Sequence, residues 1–136
     1  MIHAFVKGDV LSSAYSNICF AVNTEGYNDA GFAGLVARQF WPGLDDTGPK
    51  ELGDVMTHRA DNKRVFHALV CHSLKSNGWE KTPTILTECL DKLDLPRHAA
   101  IVLVGGGMID QMGGANVWKN LHGIAQSKHN LAVFSL

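Results

Sequence analysis

The residues of this chain best suited to chemistry by type and spacing are glycines. Gly105, Gly106 and Gly107 stand together directly after the apolar run Ala99 to Val104, and Gly113 and Gly114 follow within ten residues. Beyond them, Val117, Leu121, Ile124 and Ala125 recur at helical spacing. A buried strand, a glycine loop and a helix are the parts with which α/β proteins offer backbone N–H groups and a helix N-terminus to a phosphate. Isolated glycines only turn a chain, but five in ten residues at the carboxyl end of a buried strand mark a ligand loop. A second glycine-bearing stretch, NTEGYNDAGFAG, runs from Asn23 to Gly34 after another apolar run, Ile18 to Val22.

Two familiar phosphate loops do not fit. No Gly-Lys-Ser/Thr follows the glycines, so this is not a Walker A loop. A dinucleotide fold places its glycine loop after the first strand, with further βα units behind it. Here only one helix and one strand, Asn130 to Leu136, remain. The ligand must therefore also use segments from earlier in the chain. Two glycine loops facing one another across a cleft can hold a diphosphate by backbone donors, without a dedicated lysine or arginine.

The elements that would position these loops follow from periodicity. Strands are expected at Ile2 to Val6, Ile18 to Val22, Val65 to Cys71, Ala99 to Val104 and Leu131 to Phe134. A further strand begins after Gly53 and pairs antiparallel with Val65 to Cys71 through a turn at Ala60 to Arg64. Helices are expected at Ala30 to Phe40, with Phe32, Leu35, Val36 and Phe40 inward, and from Thr82 to about Leu93. Thr82 reads as the N-cap of the latter, with Pro83 in its first turn. Leu44 to Lys50 reads as a polar loop. The order ββαββαβαβ predicts an α/β fold, a central mixed sheet between helices, as one domain over residues 1–136.

With 136 residues, 46% hydrophobic and 18% charged, the chain has the composition of an ordinary globule. A net charge of −1 gives no sign of nucleic-acid binding. No apolar run approaches a membrane span and the start MIHAFVKGD lacks a signal-peptide shape, so a cytoplasmic protein is expected. Cys19, Cys71 and Cys89 lack CxxC spacing and read as reduced, buried thiols. Seven histidines show no ligand spacing, so no metal and no cofactor are expected.

The stretches VKGDVLSS, NTEGYNDAGFAGLVARQF, VLVGGGMIDQMGGANV and LAVFSL, in this order, resemble a macro domain over nearly the whole chain. The chain is most similar to the branch that holds the terminal ADP-ribose protein glycohydrolase and the yeast ADP-ribose 1″-phosphate phosphatase. The resemblance implies a three-layer α/β/α fold that binds ADP-ribose or an ADP-ribosylated substrate. It implies that Asp9, with Val10 beside it, accepts a hydrogen bond from the adenine amino group. A turn aspartate after a strand is the plainer role for Asp9. Phe134 falls where an aromatic lies beside the adenine, and it also fits an ordinary core position.

By the same resemblance, Asp29, Ala30, Gly31, Phe32 and Ala33 lie along the diphosphate and distal ribose, while Gly105, Gly106, Gly107, Met108 and Ile109 wrap its other side. Asn23 stands near the distal ribose. Asp110 matches the aspartate of the glycohydrolase's Gly-x-Gly-Leu-Asp pattern, but His72 or Ser73 occupies the place of its lysine. That leaves a general-base reading, with Asp110 activating water or a ribose hydroxyl and His72 as a second acid/base. A helix-start aspartate is the structural alternative for Asp110. Asp29 and Glu25 are further carboxylates in the first loop. The expected activity is hydrolysis of an ADP-ribosyl ester, O-acetyl-ADP-ribose or ADP-ribose 1″-phosphate; the alternative is a non-catalytic ADP-ribose-binding module. A nucleic-acid or protein-interaction domain is disfavoured by the near-neutral charge.

Overall fold

Alternation along the strands decides the layers of the molecule. The computed structural model describes residues 1–28, 31–44, 50–73, 80–103 and 117–135. In chain order these form β1 (Ile2–Lys7), a 3-10 turn (Val10–Ser12), β2 (Asn17–Asn23), α1 (Gly31–Gln39), β3 (Val55–Arg59) and β4 (Val65–His72). Then come α2 (Thr82–Lys92), β5 (Ala99–Val102), α3 (Val117–Ala125) and β6 (Leu131–Ser135). Successive strand side chains point to opposite faces. Ile18, Phe20 and Val22 of β2 join Phe66, Ala68 and Val70 of β4 in one core, under Val36 of α1. Cys19 of β2 joins Leu69 and Cys71 of β4 in the other, under Leu86, Cys89 and Leu90 of α2 and Ile124 of α3. The sheet is thus sandwiched, with α1 on one face and α2 and α3 on the other.

The six strands lie in the order β1-β6-β5-β2-β4-β3. All neighbours pair parallel except β3 with β4. That antiparallel pair is the expected hairpin, closed by the Ala60 N–H donating to the Arg64 carbonyl at 3.0 Å. A register shift in β1 sets Ile2 opposite Leu131 but Ala4 opposite Ala132. One extra residue moves the following side chains to the other face. Accordingly Ile2 packs with Leu131 in one core, whereas Ala4 and Val6 pack with Ala132 in the other.

Phe20 anchors the core under α1. Its ring meets Phe32, Phe66 and Trp41 edge-on at centroid distances of 5.8, 6.2 and 6.4 Å, a geometry that brings the positive ring edge onto a negative ring face. Leu44 corrects the polar-loop reading at that position, because it is buried in this same cluster. Thr82 corrects the cap reading. Lys81 is the N-cap, without a side-chain cap bond, and Thr82 is already helical. Its hydroxyl is buried and has no hydrogen-bond partner among the described residues, so helix–sheet packing has overridden the local capping preference. The three thiols are buried and free as expected, and burial raises the pKa of each, keeping them protonated.

Candidate ligand site

The five mutually parallel strands all end on one edge of the sheet, at Lys7, Asn23, His72, Val102 and Ser135. In open α/β sheets, ligands bind outside the carboxyl ends where strand order reverses. That reversal lies between β2 and β5. From β2 the chain crosses over α1 toward β4, whereas from β5 it crosses over α3, on the opposite face, toward β6. The two glycine-bearing segments therefore leave from adjacent strand ends, which sequence order alone did not require.

Asp9 stands just beyond β1. One carboxylate oxygen accepts from the Leu11 N–H at 2.9 Å and the other from the Ser12 hydroxyl at 3.4 Å, so Asp9 caps the 3-10 turn. The carboxylate remains exposed and keeps lone pairs for a further donor. Val10 is buried beneath it in the core, as is Phe134, whose ring meets Tyr15 edge-on at 5.6 Å.

Asn23 ends β2 and closes the loop that follows. Its amide nitrogen donates to the Tyr27 carbonyl at 2.8 Å, and its oxygen accepts from the Tyr27 N–H at 3.0 Å. These bonds shape the chain before α1. Gly31 opens α1 at φ +66°, with open space where a Cβ would stand, a backbone conformation that strongly favours glycine. Phe32 and Ala33 pack against the aromatic core. Asp29, Ala30, Gly105, Gly106, Gly107, Met108, Ile109 and Asp110 lie outside the described residues.

His72 ends β4 and is 4% exposed. Burial pulls its pKa down to about 4, against an opposing effect of the Glu25 charge. Its imidazole is therefore neutral at pH 7, and burial weakens it as a base. Spacing did not single out two neighbouring groups. The Ser73 hydroxyl donates to the Glu25 carboxylate at 2.8 Å, tying the chain after β4 to the chain after β2. Asn28 is 5% exposed in the same loop. Glu25 was legible as a carboxylate in a glycine loop, but its partner stands 48 residues away, and no local pattern announces such a pair. Among the described residues no group of three or more His, Cys, Asp or Glu is placed to hold a metal ion. None of the described helices is long and apolar enough to cross a membrane.

No family model and no curated protein matches this sequence. Solved structures do. The chain is 16% identical to the macrodomain of Thermus aquaticus DarG, with a TM-score of 0.68 over 100% of this chain and 98% of the other. It is 14% identical to the macrodomain of Mycobacterium tuberculosis DarG, with a TM-score of 0.69 over 100% and 98%. A variant of the Oceanobacillus iheyensis macrodomain is 15% identical, at 0.67 over 96% and 81%. An alphavirus P23pro-zbd is 12% identical at 0.69; the match covers 98% of this chain but spans only 22% of that longer one. At such identities the likeness is one of fold, and it does not single out a branch.

Proposed function

We propose, from the macrodomain fold that this chain has, that it binds ADP-ribose across the carboxyl ends of its parallel strands and hydrolyses an ADP-ribose derivative there. The observation that carries the reading is the reversal between β2 and β5, where both glycine-bearing segments begin. Their backbone donors suit a diphosphate. From β1 to β4 the edge measures four strand spacings, about 19 Å, a span for an extended two-nucleoside-sized ligand. Asp9 at the β1 end would accept from the adenine amino group. His72, Glu25 and Ser73 stand at the β2–β4 end, where the distal ribose would lie.

In this reading Asp110 takes a proton from water or from a ribose hydroxyl, and neutral His72 contributes a hydrogen bond rather than a charge. The substrate is an ADP-ribosyl ester, O-acetyl-ADP-ribose or ADP-ribose 1″-phosphate. Titration calorimetry with ADP-ribose, and with AMP and NAD as controls, tests the binding half. Selective heat with ADP-ribose supports it; no heat with any of the three overturns it.

Two substitutions separate the parts. Asp9→Ala is expected to weaken ADP-ribose binding by roughly 1.5–3 kcal/mol, the range for a hydrogen bond to a charged group. An unchanged Kd in calorimetry removes Asp9 from the adenine site. Asp110→Ala is expected to slow hydrolysis by roughly 10²–10⁴-fold while ADP-ribose affinity is kept. Wild-type protein that binds ADP-ribose but releases no product from any of the three derivatives is a binding module.

A further inference from the structure

The same pair of central strands frames a second concavity at their other ends. A cleft of about 750 Å³ opens at the amino-terminal edge, lined by Tyr15, Ser16 and Asn17 before and at the start of β2, and by Pro96, Arg97 and His98 before β5. Its volume falls within the range of roughly 300–1,000 Å³ typical of small-molecule sites. Seven residues of β2, about 23 Å of strand, separate it from the carboxyl edge. Its mouth lies away from the proposed ADP-ribose site, although the Tyr15 ring in its wall meets Phe134 at 5.6 Å.

The chemistry of this lining is one-sided. Arg97 brings five N–H donors on a planar cation, and among the described residues no carboxylate lines the cleft. The side chain of Asn17 is oriented from behind. Its oxygen pairs with His67 Nε2 at 2.8 Å, and His67 Nδ1 pairs with the Thr57 hydroxyl at 3.0 Å. With Nε2–H donating to that oxygen, the amide N–H groups of Asn17 are left for another acceptor. A second imidazole stands close by: His3 Nε2 is 3.2 Å from the Tyr15 hydroxyl, and its ring lies edge-on to His98 at 6.3 Å. Ser16 adds a hydroxyl. Pro96 and the ring of Tyr15 supply the apolar wall.

A cleft lined by one guanidinium, one imidazole and an amide donor, with a second imidazole beside it and no acid among its described lining residues, suits a ligand whose polar end is an acceptor-rich anion. The apolar wall suits a flat, weakly polar body attached to it. We propose that the amino-terminal cleft is a second ligand site, taking a phosphorylated small molecule of nucleoside monophosphate size. Arg97 and His98 meet the phosphate, with Tyr15 and Pro96 against the planar group.

The test is a titration of isotope-labelled protein with uridine 5′-monophosphate, in excess ADP-ribose so that the carboxyl edge is saturated if it binds. Uridine and inorganic phosphate are titrated in parallel. The expected result is saturable movement of the Ser16, Asn17, Arg97 and His98 amide resonances, with a Kd below those for uridine and phosphate alone. Arg97→Ala is expected to raise that Kd by about tenfold or more, the loss of a charge-assisted contact, and His98→Ala to raise it as well. Both side chains are exposed, so neither variant challenges the fold. The proposal is overturned if those resonances do not saturate, or if neither substitution changes the Kd. It is equally overturned if inorganic phosphate binds as tightly as the nucleotide, which would mean an adventitious ion only.

Discussion

Lowering the pH from about 7.5 to about 4 is expected to remove roughly 5 kcal/mol of folding stability through two buried histidines. His67 and His72 both have pKa values pulled from 6.5 down to about 4 by burial. A depressed pKa means that the unfolded chain binds protons that the folded chain refuses. Stability from this source is complete above 6.5 and is lost as the pH falls from there to about 4. Each pKa unit corresponds to about 1.4 kcal/mol. Allowing for partial solvent access to His67, each ring contributes about 2–3 kcal/mol. The local bonding agrees with a neutral ring at His67. One nitrogen faces the Asn17 oxygen and the other faces the Thr57 hydroxyl, so a single tautomer satisfies all three groups. Urea unfolding at a series of pH values measures the effect. His67→Gln should keep the two hydrogen bonds and flatten the pH dependence by about half. A wild-type stability that is constant between pH 6.5 and 4.5 contradicts the assignment of both rings as buried and neutral.

Gly123→Ala is expected to destabilise the protein by about 3 kcal/mol, although the same exchange within an exposed helix stabilises by roughly 0.5–1 kcal/mol. Gly123 sits where α3 crosses α2. A Cβ there would lie 2.7 Å from the carbonyl carbon of Pro83 and 2.9 Å from its Cα. Those atoms are backbone, and they belong to the first turn of α2, so they cannot rotate aside. The crossing is also pinned by the Thr87 hydroxyl, which donates to the Gly123 carbonyl at 2.6 Å. Parting the helices would loosen Leu86, Leu90 and Ile124, which fill the core beneath. Chemical denaturation of the variant decides the matter, and an equal or higher midpoint would show that the helices can part without cost.

Both effects rest on features that a local reading reaches only halfway. His67 is legible as a histidine in a buried strand, but its partners lie 10 and 50 residues away, on two neighbouring strands. Gly123 is a helical glycine with nothing in its own neighbourhood to explain it. Its reason is Pro83, forty residues earlier.

The candidate site divides in the same way. Asp9 was legible because a turn following a strand leaves its mark in Gly8-Asp9, and the capping bonds to Leu11 and Ser12 are local. The bonds of Asn23 to Tyr27 are local as well, yet a strand-ending asparagine reads equally as a ligand contact. The joining of Glu25 to Ser73 depends on β2 and β4 being neighbours. No spacing in the chain states that.

The order and kind of the elements were present in the sequence. Period-two and period-3.6 patterns are properties of neighbouring residues, and they mark ββαββαβαβ, the β3–β4 hairpin and the buried thiols. The polar reading of Leu44 and the cap at Thr82 failed where packing outweighs local preference. Leu44 is drawn into the core with Trp41, and Thr82 is drawn into the first turn of α2. Only the tertiary structure decided which strands lie side by side, because that choice depends on which face each crossover helix covers. From it come the reversal between β2 and β5 and the juxtaposition of Glu25 with Ser73. It also brings residues 14–17 and 96–98 to one cleft: adjacency within a parallel sheet is set by long-range burial, and burial leaves no local signature of its partner.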